Sequence, residues 1–198
     1  MLAEALVLRK TGIKKKSKIV FHKRLNIILF VVFYCGIMPD HRMLNIVLVN
    51  PEIPQNTGNV ARSVIANKCS LHLVKPIGFS IDDKNLKRAG LDYWQFIDLK
   101  VWENIEQFFD QTDIEKIHLF STRGDLRYDR AEYRHGDYLV FGSESSGLSP
   151  QLLNKNKERT RFLPISDQKV RSLNLSSAVS VAIYEALRQL DFSCQGGQ

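Results

Sequence analysis

Three short stretches carry polar and glycine residues in patterns that a plain fold does not require. The first is Asn50-Pro51-Glu52-Ile53-Pro54-Gln55-Asn56-Thr57-Gly58-Asn59-Val60-Ala61-Arg62, which leaves an apolar run and enters a helical one. Asn56 or Thr57 can cap that helix, and helix entrances attract anions. Arg62, six residues beyond Asn56, falls one to two turns inside. A capped helix bearing a surface arginine gives the same spacing. The second stretch is Phe141-Gly142-Ser143-Glu144-Ser145-Ser146-Gly147-Leu148, a glycine loop directly after an apolar run. It is neither a dinucleotide fingerprint nor a Walker A loop. Its glycines would let a flat ligand approach the backbone; a tight turn with an exposed Glu144 is the alternative. The third is Val170-Arg171-Ser172-Leu173-Asn174-Leu175-Ser176-Ser177. Ser172, Asn174 and Ser176 alternate, so an extended lead-in puts them on one side. Capping accounts for one or two of the three.

Metal and disulfide chemistry find little support. Cys35, Cys69 and Cys194 are odd in number and far apart, with no CxxC pair. The five histidines are scattered and read as surface or core residues. No metal is expected, and a reducing cytoplasm fits.

The elements that must position these stretches follow from the apolar pattern. Leu44–Asn50 reads as a strand buried on both faces. A helix follows to about Asn67, then a strand at Leu71–Val74 and a short helix at Asn85–Ala89. Trp102–Phe109 has helical spacing, with Trp102, Ile105 and Phe108/Phe109 on one face. Lys116–Ser121, Tyr138–Phe141 and Arg161–Leu163 read as strands, Leu152–Lys155 as a weak helix, and Leu175 to Leu190 as a long final helix. Strands alternating with helices indicate an α/β fold with a mainly parallel sheet and flanking helices. All three stretches lie where strands end, the place where open α/β sheets bind ligands.

The length of 198 residues favours one domain. A composition of 44% apolar and 25% charged residues excludes disordered, collagen-like and disulfide-scaffold classes. The formal charge of +7 invites a nucleic-acid or anionic-membrane reading. Its location changes that reading. Residues 1–42 hold nine Lys/Arg and two acids, so 28 less nine leaves nineteen basic and 21 less two leaves nineteen acidic side chains in 43–198. The main domain is neutral by count, and any RNA-binding surface must come from local asymmetry. Arg123 and Arg127, which follow a strand end, are the first candidates for such a surface. Lys84, Lys87, Arg88, Arg130 and Arg134 are further candidates.

Residues 1–42 read differently from the rest. A basic stretch precedes the apolar run Leu25–Met38, which is short of the roughly 20 residues of a membrane span. Met38-Pro39-Asp40-His41 offers no pair of small residues for signal cleavage. The segment is expected to lie outside the folded domain, as upstream translation ahead of Met43. A targeting extension and a basic RNA arm are the alternatives. Residues 43–192 form the expected domain, without a membrane role, and 193–198 a tail.

Taken in order, NPEIPQNTGNVAR, FGSESSGL and VRSLNLSSAVSVAIYEALRQ, with LHLVKPIGF (Leu71–Phe79) and KRAGLDYW (Lys87–Trp94), resemble the SPOUT class of RNA methyltransferases. Within it, they are similar to the small tRNA (cytidine/uridine-2′-O)-methyltransferases that act at wobble nucleotide 34. The likeness spans about residues 43–192. It implies a deep C-terminal trefoil knot, a homodimer whose subunits complete the active site, and S-adenosyl-L-methionine bound at the knot. It implies methylation of a ribose 2′-hydroxyl in the anticodon stem-loop of tRNA, with tRNA-Leu the expected substrate.

Carried over by position, the cofactor pocket comprises Phe120, Ser121, Gly142, Glu144, Leu163, Ile165, Ser172, Leu173 and Asn174. Arg62 matches the catalytic arginine, Asn56 a residue supporting it, and Tyr184 a tyrosine implicated in tRNA binding or the dimer contact. Arg62 is preferred as a cation that stabilises an alkoxide and holds a phosphate, with general-base action as the alternative. Two departures touch the loops. Gly147-Leu148-Ser149-Pro150 stands where Gly-Leu/Ile-Pro is usual, and Ser166–Val170 is one residue longer than in close relatives. Rival readings are the same fold acting on rRNA or another tRNA position, and a non-catalytic RNA-binding relative.

Overall fold

Strand β1 (Asn45–Val49) runs through the centre of the molecule, with Ile46 to Val49 all buried. The computed structural model describes residues 43–80, 94–167 and 169–192. The other strands are β2 (Ser70–Val74), β3 (Leu99–Trp102), β4 (Ile117–Phe120), β5 (Leu126–Arg127), β6 (Tyr138–Phe141) and β7 (Thr160–Phe162). The helices are α1 (Pro54–Ala66), α2 (Ile105–Asp110), α3 (Pro150–Lys155) and α4 (Leu175–Gln189). The seven strands form one sheet in the order β3-β2-β1-β6-β4-β7-β5, and every pairing is parallel.

Alternation along the strands assigns the two faces. Ile46 and Leu48 join Val60 and Val64 of α1 and Val179 and Ile183 of α4 in one cluster. Val47 and Val49 join Trp102, Phe108 of α2 and Leu148 in the other, with Leu152 and Leu153 of α3 packed against it. Both faces are covered, so the central strands read as unbroken apolar runs. Each fully buried side chain of this kind contributes roughly 1.5–3 kcal/mol.

Parallel pairing puts the carboxyl ends of β1, β6, β4 and β7 side by side at one edge. The loops after these strands therefore gather there. Helix α4 returns from beyond β7 to pack on α1, where Ser63 and Ser180 share a hydrogen bond of 3.0 Å.

Two local expectations need correction. Trp102 does not begin a helix; it ends edge strand β3, and α2 starts at Ile105 behind the cap Asn104. The expected contact survives, because the Trp102 and Phe108 rings meet edge to face at 5.5 Å. Helix α1 starts at Pro54, not after Asn56, so Asn56 and Thr57 lie buried in its first turn. Proline suits the first helical position because it has no N–H to leave unpaired. Segment 1–42, the helix at Asn85–Ala89, the stretch through Tyr93, the cations Lys84, Lys87 and Arg88, and the tail 193–198 lie outside the described residues. So do Cys35 and Cys194; Cys69 is buried, and its thiol donates to Asn67 O at 3.4 Å.

Candidate active site

The gathered loops enclose a cavity of about 880 Å³. All nine residues expected around a cofactor line it. Phe120 and Ser121 come from the end of β4, Gly142 and Glu144 from the loop after β6, Leu163 and Ile165 from the exit of β7, and Ser172, Leu173 and Asn174 from the approach to α4. Asn56 and Arg123 also line it.

The loop after β6 is folded tightly on itself. Gly147 N donates to Ser143 O at 2.9 Å, and the Ser143 and Ser146 hydroxyls pair at 2.7 Å. A Cβ on Gly142 would sit 1.9 Å from the carbonyl carbon of Gly147, so only glycine fits there. Gly147 itself takes φ +68°, in the left-handed region that favours glycine.

A polar network ties this loop to α1 and α4. Glu144 lines the cavity, yet both carboxylate oxygens face α1. Oε2 accepts from Glu52 N at 2.8 Å, while Oε1 accepts from Ile53 N at 3.3 Å and Asn56 Nδ2 at 3.0 Å. Glu52 answers from the other side, accepting from Ser145 N at 3.2 Å and from Ser145 Oγ at 2.6 Å. Asn56 Oδ1 accepts from Asn174 Nδ2 at 2.9 Å, and Asn174 Oδ1 caps α4 through Ser176 N at 2.9 Å and Ser176 Oγ at 2.7 Å. One chain of hydrogen bonds thus joins the three stretches singled out in the sequence. Ile53, the N-cap residue of α1, offers no side-chain acceptor. The Glu144 carboxylate supplies one from a distant loop, and its negative charge suits a helix N-terminus.

The remaining expected residues divide. Arg62 is exposed on α1, does not line the cavity, and makes no hydrogen bond or ion pair among the described residues. Tyr184 is 53% exposed on α4, near the half-exposed Val181. Arg127 is committed elsewhere: its guanidinium donates to both oxygens of Asp129, at 2.6 and 2.9 Å. That pairing holds the Asp129 carboxyl below the usual carboxylate range. Arg134 pairs with Glu132 at 3.3 Å. Arg123 has no such partner among the described residues.

The structure adds residues that the sequence did not single out for a role. Glu52 and Ser145 close the network, and Arg171 lines the cavity. Glu52 lay inside the first stretch; its partner, 93 residues on, left no local signal. Among the described residues no group of His, Cys, Asp and Glu is placed to hold a metal, and no helix is long and apolar enough to cross a membrane.

Residues 43–184 match the model of the SpoU rRNA methylase family. The chain is 44% identical over 155 residues to a tRNA (cytidine(34)-2′-O)-methyltransferase of Saccharophagus degradans, an alignment covering 76% of this chain and 98% of that protein. A solved structure reported for 2-OH methylation of C/U34 on tRNA is 46% identical, has a TM-score of 0.72, and is matched over 76% of this chain and 97% of its own. The SpoU methyltransferase AviRb of Streptomyces viridochromogenes, solved with AdoMet, shares the fold at a TM-score of 0.67 and 20% identity, over 81% of this chain and 61% of its own. With the three sequence stretches gathered on one cavity and these matches spanning the described domain, the chain belongs to the SpoU rRNA methylase family.

Proposed function

We propose that this protein is an S-adenosylmethionine-dependent methyltransferase acting on the ribose 2′-hydroxyl of wobble nucleotide 34 of tRNA. Its substrate is tRNA-Leu, and it works in the cytoplasm as a homodimer. The observation that carries this reading is the near full-length match to a relative named for that activity, on a chain whose three stretches meet at one cavity.

The cavity fits S-adenosylmethionine. Its volume falls in the range of about 300–1,000 Å³ usual for small-molecule sites. Leu163, Ile165 and Leu148 offer apolar walls for a base, and the Ser121 and Ser172 hydroxyls offer polar contacts. When bound, S-adenosylmethionine supplies a methyl group made electrophilic by its sulfonium. The chain's task is to align the ribose oxygen with that methyl and to manage the hydroxyl proton.

Arg62 acts as a cation in this scheme. A guanidinium stays protonated at working pH and is a poor base. It stabilises the developing alkoxide and clamps the neighbouring phosphate. Six residues of helix put Arg62 about 9 Å along α1 from Asn56 and about 120° around it, so it reaches the substrate from outside the cavity wall that Asn56 forms. Asn56 does not act on the substrate directly, since both ends of its amide are engaged by Glu144 and Asn174. It positions α1 instead. The exposed faces of α1 and α4, with Val181 and Tyr184, form the contact with a second copy. The C-terminal part of the chain is a trefoil knot in this reading; β7 lies beyond β4 and β6 from β1, and Asn174 returns to pair with Asn56 after β1.

The test is an assay of the full chain with S-adenosylmethionine and unmodified tRNA-Leu, followed by nuclease digestion and mass spectrometry. A methyl on the ribose of nucleotide 34 is expected. Methylation of rRNA alone, or of another tRNA position, would refute the wobble assignment. Absence of S-adenosylmethionine binding by calorimetry would favour a non-catalytic RNA-binding relative.

A further inference from the structure

Beside the cofactor cavity lies a second, smaller groove of about 160 Å³, lined by Arg123, Asp125, Asn154, Lys157 and Thr160 together with Pro150 and Leu153. Arg123, Pro150 and Leu153 line both spaces, so the groove opens directly beside the cavity. At about 30 Å³ per water, it has room for roughly five waters. That is too little for a nucleoside and ample for a phosphate with bridging waters.

Its walls are fixed before any ligand arrives. Asp125 N donates to Thr160 Oγ1 at 3.2 Å, and that hydroxyl donates to Lys157 O at 2.7 Å. Gly124 lies so close to β7 that a Cβ there would stand 2.5 Å from the carbonyl carbon of Arg161. Arg123 N donates to Ser121 Oγ at 3.2 Å. The loop carrying Arg123 is therefore clamped onto the strand beside Lys157. Both side chains are exposed and make no ion pair among the described residues. Asp125, the one carboxylate lining the groove, pairs with neither.

We propose that this groove seats a backbone phosphate of the RNA substrate, held by Arg123 and Lys157, one step along the chain from the reacting ribose. The proposal rests on the tRNA-methyltransferase reading above and adds a phosphate subsite to it. Two unpaired cations on a rigid floor form an oxyanion site in which only the two side chains, and not the backbone, must be ordered on binding. The larger cavity already has room for the whole cofactor, so its carboxylate does not need the groove. Asn154 offers an amide, and the Asp125 carboxylate opposes the anion and tempers its affinity.

The experiment uses the full chain and tRNA-Leu with saturating S-adenosylmethionine. Lys157→Ala raises KM for tRNA about fivefold, the loss falling on KM rather than kcat. The slope of log affinity against log salt becomes shallower by about 0.7, the value of one single-strand phosphate contact. Lys157→Glu is worse than Lys157→Ala, and Asp125→Asn lowers KM below wild type, which a folding defect would not do. Wild-type KM and salt slope in both Lys157 variants would overturn the proposal. So would a fall in S-adenosylmethionine affinity with tRNA KM unaltered, which would give the groove to the cofactor's carboxylate. Anisotropy with a labelled anticodon stem-loop, without cofactor, keeps the two readings apart. Failure of the wild type to methylate any tRNA overturns the function above, whereas equal RNA affinity of wild type and Lys157→Glu overturns the groove.

Discussion

Replacing Glu144 with glutamine should loosen α1 from the glycine loop. The carboxylate accepts three hydrogen bonds at two oxygens, from Glu52 N, Ile53 N and Asn56 Nδ2. A glutamine carbonyl can keep the two at Oε1, but its amide then faces the Glu52 N–H, donor against donor. A donor left unsatisfied costs about 1–3 kcal/mol when buried, and the lost charge at the helix entrance about 0.5 kcal/mol more. Glu144 is only half-buried, so water recovers part of this, and about 1–2 kcal/mol remains. For a domain of this size each kcal/mol lowers Tm by about 2–4 °C. Glu144→Gln should therefore melt roughly 2–8 °C below wild type. Glutamine keeps the bond from Asn56 at 3.0 Å, so the coupling is measured with Glu144→Ala and Asn56→Ala, whose double variant should lose less than the sum of the single losses by at least 0.5 kcal/mol or so. Denaturant unfolding of the four proteins measures that coupling. Strict additivity would refute the claim that Glu144 holds α1 through Asn56.

Other expectations follow from single contacts. Gly142→Ala forces a Cβ into the Gly147 backbone, so calorimetry should show S-adenosylmethionine binding lost and stability reduced by about 1–3 kcal/mol or more; wild-type affinity would mean that the loop is not part of the pocket. Arg62→Ala should lower kcat by at least about a hundredfold, and Arg62→Lys should restore little of it if a bidentate guanidinium clamp matters; full recovery with lysine would refute the clamp. The Arg188 hydrogen bonds, at 2.9 Å each, hold the Glu185 carboxyl below its ordinary value. A carboxyl lowered by folding stabilises the protein above its unfolded value of about 4.3 and loses that contribution as pH falls through the folded value. Glu185→Gln should thus lose less Tm than wild type between about pH 5 and 2; parallel curves would refute it.

The central strands were legible because burial on both faces leaves no polar alternation to misread. Tyr138–Phe141 appears with the bounds the sequence suggested, and β1, β2 and β4 differ only at their ends. The edge strands were not legible. Strand β3 carries Lys100 and β5 carries Arg127, charges that suit an exposed sheet edge and break an apolar run. Trp102 then lent its ring to a helical pattern that begins three residues later. In the site, which residues meet was legible from motif order, but what each side chain holds was not. Capping rules look a few residues along the chain, whereas the group that serves α1 is Glu144, 91 residues from Ile53. Arg127 is the opposite case: its partner Asp129 stands two residues away, and that nearby acid was a signal against a free RNA contact.

The same distinction explains how a domain with equal numbers of acids and bases can bind a polyanion. A net count treats every cation alike, but an arginine already bidentate to a carboxylate has few donors left and a local charge near zero. Arg127 is spent in this way on Asp129, and Arg134 makes one exposed contact of 3.3 Å with Glu132. Arg62, Arg123 and Lys157 are not so paired among the described residues; Arg123 lines the cavity and Lys157 the groove beside it. Neutrality elsewhere then has a use. In the proposed function it leaves non-specific attraction to nucleic acid weak, so that affinity would depend on a phosphate backbone meeting unpaired cations in register.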